Sequence, residues 1–175
     1  MTTRTAARPA QADFDPFYAG YVSLVPDGDI VETLRVQRED LAALFARVPE
    51  ERHGFRYSPG KWTLEEVVGH VVDIERVFSY RAMCFARGLA EVEQPGVDQD
   101  LMVPASGATE RGLDSLAREF DHLRLANIEL FHTFDDEQLA VLGRASGLPL
   151  TTRAMLYILH GHAEHHARFI EDRYL

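Results

Sequence analysis

Four of the eight histidines in this 175-residue chain, His160, His162, His165 and His166, fall in one short stretch near its end. Imidazole is both a metal ligand and a proton carrier, so the chemistry open to this stretch depends on which rings share a face. On a helix turning about 100° per residue, with His162 at zero, His166 lies at about 40°, His165 at about 300° and His160 at about 160°. Met155, Ile158, Leu159, Phe169 and Ile170 fall within roughly 80° of His162, so His162 and His166 sit in the stripe that should face a core. Imidazoles at i and i+4 have Cβ atoms about 5–6 Å apart and could close on one ion. Two core histidines satisfied by hydrogen bonds would show the same spacing, and the pair alone does not choose between these readings.

A third candidate comes from an earlier helix. Thr63-Leu64-Glu65-Glu66 has the spacing of a capping box, and the helix it starts should run to Arg87, with Gly88 as its stop. Leu64, Val67, Val71, Ile74, Phe78 and Phe85 form its apolar stripe, and His70 falls on the same side. A buried imidazole needs partners for its ring nitrogens. One shared cation satisfies three such rings more simply than separate hydrogen bonds, so His70, His162 and His166 are the expected metal ligands. Three ligands leave a position open, as in catalytic rather than structural sites. Imidazole suits zinc, nickel, iron or copper. The zincin pattern is absent, because Ala163 follows His162 where a glutamate is needed. Asp73, one turn beyond His70, could orient a ligand ring from behind, or be a solvated helix-face acid. Arg81 shares the angle of His70 within about 20°, some 16 Å along the helix; a structural ion pair is its simplest expected role, contact with an anionic substrate the other. His165 is expected at the rim. Trp62 and Tyr57 read as packing residues, and His53, His122 and His132 lack metal spacing.

The elements that must position these groups follow from apolar periodicity. Residues 1–12 read as a disordered tail, and 13–175 as one domain. Phe14 to Val25, rich in aromatics, should drape over the core or a partner subunit. A first helix is expected from Ile30 to Val48 behind an Asp29 cap, and a third from Arg111 to Phe134 with a Leu113, Leu116, Phe120, Leu123, Asn127, Leu130 seam. Ala90 to Glu110 should be a long irregular connection, an uncommon feature that is often functional. Gly143 to Pro149 reads as a loop, after which Thr151 or Thr152 caps the last helix. Strand signals are nearly absent. The fold expected is all-α, a four-helix bundle with a long connection between its second and third helices.

Composition removes several functions. Eighteen basic residues scattered among 28 acidic ones give a net charge of −10, which argues against nucleic acid. No apolar run approaches a membrane span, and the N-terminus lacks the apolar core of a secretory signal. The single Cys84 suits a reducing cytoplasm and reads as a buried small hydrophobe. No Ser-His-Asp order, phosphate loop or cysteine pair offers a competing chemistry.

Gly60-Lys61-Trp62-Thr63, leading to Gly69-His70-Val71-Val72-Asp73-Ile74-Glu75-Arg76, resembles the second-helix signature of the DinB-like superfamily. Gly161-His162-Ala163-Glu164-His165-His166 and the terminal Glu171-Asp172-Arg173-Tyr174-Leu175 resemble its last helix. The likeness runs from about Asp29 to Leu175. It implies a four-helix bundle, often a homodimer, with one divalent metal (zinc or nickel ahead of iron or manganese) on the positions of His70, His162 and His166. Family members include bacillithiol- and mycothiol-dependent S-transferases and a maleylpyruvate isomerase. The expected function is therefore a metal-dependent transferase or hydrolase acting on small electrophiles, with a low-molecular-weight thiol as one candidate partner. The alternative is a non-catalytic, metal-stabilised dimeric bundle with a binding or stress-response role.

Overall fold

Each of the four long helices begins where the sequence supplies a cap or a turn. The computed structural model describes residues 7–175. After a short helix α1 (Ala19–Ser23) come α2 (Ile30–Ala46) and α3 (Leu64–Ala86). The Asp29 carboxylate accepts the first free amides of α2, from Val31 at 2.9 Å and Glu32 at 3.1 Å. The capping box of α3 is reciprocal: Glu66 N donates to Thr63 Oγ1 at 3.0 Å, and Thr63 N to Glu66 Oε2 at 2.7 Å. Two short helices follow, α4 (Gln99–Ala105) and α5 (Ala108–Arg111), then α6 (Leu113–His132) and the single turn α7 (Asp136–Leu139). Strands β1 (Leu142–Ala145) and β2 (Leu148–Thr151) lead directly into α8 (Thr152–Arg173), whose first turn is capped by Thr151 Oγ1.

The helices close into a ring in which α3 packs on α6 and α8, and α2 packs on the same two. Helices consecutive in sequence, α2 with α3 and α6 with α8, therefore lie diagonally. That arrangement explains why the α2–α3 and α6–α8 connections are long, since each must cross an end of the bundle rather than turn back on a neighbour. The core falls into two apolar clusters. One holds Phe78, Phe85, Met155 and Ile158, the other Val67, Val71, Phe120 and Ile170. His70 and His162 occupy the positions on α3 and α8 where one cluster gives way to the other.

Two expectations need correcting. The 90–110 connection is not irregular throughout: Asp98 caps α4 and Gly107, in the left-handed region at φ 63°, opens α5. Gly143 to Pro149 is no loop but the body of an antiparallel hairpin, with Ser146 and Gly147 at its tip, both at positive φ. This is the two-residue primed turn that matches strand twist. The aromatic N-terminal stretch takes the first of its two expected places, draped over the core of its own chain: Phe14 bridges to Leu150, Asp15 N donates to Pro149 O at 3.1 Å, and α1 packs on α8. Of the expected tail, residues 1–6 lie outside the described residues. Arg8 donates from Nη1 to Val22 O at 3.0 Å, and Gln11–Asp13 form a helical turn.

A buried polar network ties α2, α3, α6 and α8 together. Arg124, fully enclosed, pairs with both oxygens of Glu75 at 2.8 and 2.9 Å and reaches Gln37 Oε1 at 3.0 Å. Asn127 donates to the same Glu75 at 2.8 Å, and Gln37 donates onward to the carbonyl of His160 at 2.9 Å.

Candidate metal centre

Glycine precedes both inward histidines that face each other across the helix pair. At Gly69 a Cβ would sit 3.0 Å from the Cβ of Ala108 on α5, and at Gly161 it would overlap the carbonyl of Tyr21 on α1. The missing side chains let two flanking segments approach α3 and α8 beside the rings of His70 and His162. The residues expected as ligands are brought together. His70 Nε2 lies 3.1 Å from His162 Nε2, and one ring nitrogen from each of His70, His162 and His166 falls within 4.8 Å of the others. His162 and His166 ring centroids are 4.5 Å apart, and each lies 5.0 Å from that of His70.

The donor set fits a divalent transition-metal ion. Zinc–nitrogen bonds of about 2.0–2.1 Å in a tetrahedron place ligand nitrogens about 3.3 Å apart, close to the 3.1 Å between His70 and His162. His166 Nδ1 is buried with no hydrogen-bond partner among the described residues. Burial holds the His70 ring down at about 4 and, helped by His70 and His165, the His166 ring at about 3. Burial first, then His166, His70 and His165, pushes His162 well below the ordinary range. All three are therefore neutral at pH 7, with lone pairs free to coordinate.

Around this centre a cavity of about 520 Å³ opens between α1, α3, the hairpin tip and α8, walled by Tyr18, Tyr21, Ile74, Phe78 and Leu148. A second cavity, about 360 Å³, reaches His165 and His166 from the other side past Tyr57, Lys61 and Asp100. Trp62 separates them and lies 5.1 Å from the His70 ring, so it is a wall of the site as well as a packing residue. His165 is exposed at the rim and lines both cavities. His160 points away, buried against α2, with Nδ1 unpartnered among the described residues. Asp73 is not brought to the histidines: it makes no hydrogen bond to them, burial raises its carboxyl, and Arg76 and Arg111 pull it back. Arg81 is buried in the wall of the larger cavity, and the ion pair expected for it is absent among the described residues.

Sequence reading missed Tyr21 and Ser146. The Tyr21 ring stands 5.5 Å from His162 and 5.7 Å from His165. Its one signal is indirect, a glycine at 161 in the middle of an otherwise well-formed helix. Ser146 reaches the site only because the hairpin folds over α3.

The model of the DinB superfamily matches residues 33–170. A search of curated proteins finds no match. Among solved structures, the chain is similar to YfiT from Bacillus subtilis, described as a probable metal-dependent hydrolase with an unusual four-helix bundle topology. That similarity has a TM-score of 0.72 at 15% identity and covers 94% of this chain and 89% of the other.

Proposed function

This chain belongs to the DinB superfamily, and on that footing we propose that it is a metal-dependent hydrolase of small electrophilic molecules, with one divalent ion on His70, His162 and His166. The observation that carries the reading is the convergence of three neutral ring nitrogens within 4.8 Å of one another at the edge of a cavity able to hold a small molecule. YfiT, which shares the fold, is described in the same terms. Three imidazoles suit zinc, nickel or iron better than manganese, which prefers oxygen ligands. Such an ion supplies Lewis acidity, polarising an electrophile and making a neighbouring nucleophile more acidic.

The chain's own residues do the rest. His70 and His162, fixed on two packed helices, set the position of the donor set without loop motion. Trp62 and Tyr21 flank the rings and restrict water to the cavity side. His165 is the exposed imidazole beside the site and is placed to pass protons between the cavity and solvent.

A second reading, thiol transfer in place of hydrolysis, is favoured by the second cavity, because a transferase needs room for two substrates and Lys61 there offers a cation to a thiol cofactor. One experiment separates the two. Metal-loaded protein is incubated with p-nitrophenyl esters and, separately, with monochlorobimane plus a low-molecular-weight thiol, and products are weighed by mass spectrometry. Cleavage of the ester by water to acid and p-nitrophenol supports hydrolysis, replacement of the bimane chloride by the thiol sulfur with loss of HCl supports transfer, and either activity should vanish in His70→Ala. Absence of turnover in every arm, together with a melting temperature lowered by chelator, would leave a metal-stabilised, non-catalytic bundle.

A further inference from the structure

Among the described residues, Arg81 is a buried cation without an anion. Its residue exposure is 2%, and side chains this enclosed are ordinarily paired with a carboxylate, as Arg124 is with Glu75. Arg81 has no such partner among the described residues. Nη2 donates to the Pro95 carbonyl at 2.5 Å and to Ser146 Oγ at 3.0 Å, and the guanidinium lies 5.1 Å from the centre of the Phe78 ring. Among the described residues Nε and Nη1 have no acceptor and no carboxylate pairs with the guanidinium, so the positive charge is held in place but left uncompensated there. The Ser146 hydroxyl, which accepts from Arg81, keeps its own proton free to donate. The Tyr18 phenol is close enough that Arg81 pulls it down against the upward push of burial.

This arrangement stands in the wall of the cavity that holds His70, His162 and His166. Eleven residues separate His70 from Arg81 on one straight helix, about 16 Å along the axis, and they share a face. Between the two lie Ile74 and Phe78, with Val97, Leu148 and Ile158 opposite. The cavity thus has three ring nitrogens at one end, one guanidinium with two hydroxyls at the other, and apolar walls between.

We infer that Arg81, with Ser146 and Tyr18, forms a carboxylate subsite, and that the substrates are small amphipathic carboxylic acids whose reactive group lies toward the histidines. Binding of the carboxylate stands on Arg81's own surroundings; its place in a substrate rests on the hydrolase reading above. A carboxylate is preferred over a phosphate because Arg81 is the one arginine or lysine lining this cavity, and a single guanidinium balances a monoanion but leaves a dianion with excess buried charge.

The test compares hexanoate with hexanamide, equal in length but uncharged, by ligand-detected NMR on the full chain, both as purified and after chelator treatment. Hexanoate should bind at least tenfold tighter in both preparations. Arg81→Gln, its fold checked by circular dichroism, should bring the two ligands to parity, while Arg81→Lys should keep the preference. Equal affinities in the unaltered chain, no binding of either ligand, or an unchanged preference in Arg81→Gln would each overturn the inference. So would a preference that disappears with chelator alone, since the metal rather than Arg81 would then read the carboxylate. Should Arg81→Gln not fold, the unaltered chain and Arg81→Lys still decide. Failure of the hydrolase reading would leave the chelator-treated preference intact, so the two claims fail separately.

Discussion

Nε2 of His70 and Nε2 of His162 approach to 3.1 Å, although the two residues are 92 positions apart and sit on different helices. With both rings neutral, one can donate its proton to the other, so the pair is held together even before an ion replaces that proton. The site is in this sense preorganised: metal has no loop to order, and its ligands come from the packed interior of α3 and α8.

That preorganisation depends on Gly161. Replacing a mid-helix glycine with alanine ordinarily stabilises a helix by about 1 kcal/mol. Here the new methyl would meet the Tyr21 backbone, and overpacking of this kind costs about 1–3 kcal/mol. Gly161→Ala should therefore lower the urea midpoint and loosen metal binding, as Tyr21 is displaced from His162. A raised midpoint would show that α1 does not press on α8.

The Arg124–Glu75 pair should behave as a buried ion pair whose halves cannot be removed singly. Both side chains are almost fully enclosed, at 0% and 2% exposure. Glu75→Leu alone strands a guanidinium and Arg124→Met alone strands a carboxylate, each costing about 3–5 kcal/mol. The double replacement should recover much of that loss, and a denaturation-based double-mutant cycle measures it. Single losses below about 1 kcal/mol would contradict the network's role.

Alkaline pH should act through Tyr174. Its hydroxyl donates to the Trp62 carbonyl at 2.7 Å, and burial first, then Tyr57 and Glu66, pushes the phenol up to about 12 against the pull of Arg56. The folded chain thus keeps a proton that the unfolded chain releases near the ordinary value of about 10. This contribution to stability is complete below pH 10 and is lost as pH rises from about 10 toward about 12. Tyr174→Phe should flatten that part of the stability–pH curve, and an unchanged slope would count against it.

The parts legible in sequence were those fixed by local periodicity. His162 and His166 share a helix face by spacing alone, His70 lies on the apolar stripe opened by the Thr63–Glu66 capping box, and every residue of that α3 stripe is buried. On α6 the buried face is not the expected leucine seam. Leu123 and Leu130 are only half-buried, whereas Arg124 and Phe131 face inward, because a charge on a helix reads as surface until a partner such as Glu75 is visible. The hairpin escaped for a related reason. Its four-residue strands carry little β-branched alternation and are held by tertiary contacts to Phe14 and Gln94. Tyr21, Ser146 and the missing partner of Arg81 depend on segments meeting across the fold, and no local pattern announces them.

Whether His70, His162 and His166 hold one divalent ion is decided by metal analysis of protein purified without a His-tag, alongside His162→Ala and His166→Ala. The unaltered protein should carry about one divalent transition-metal ion per chain, and both variants should lose most of it. Equal and negligible metal in all three would contradict this.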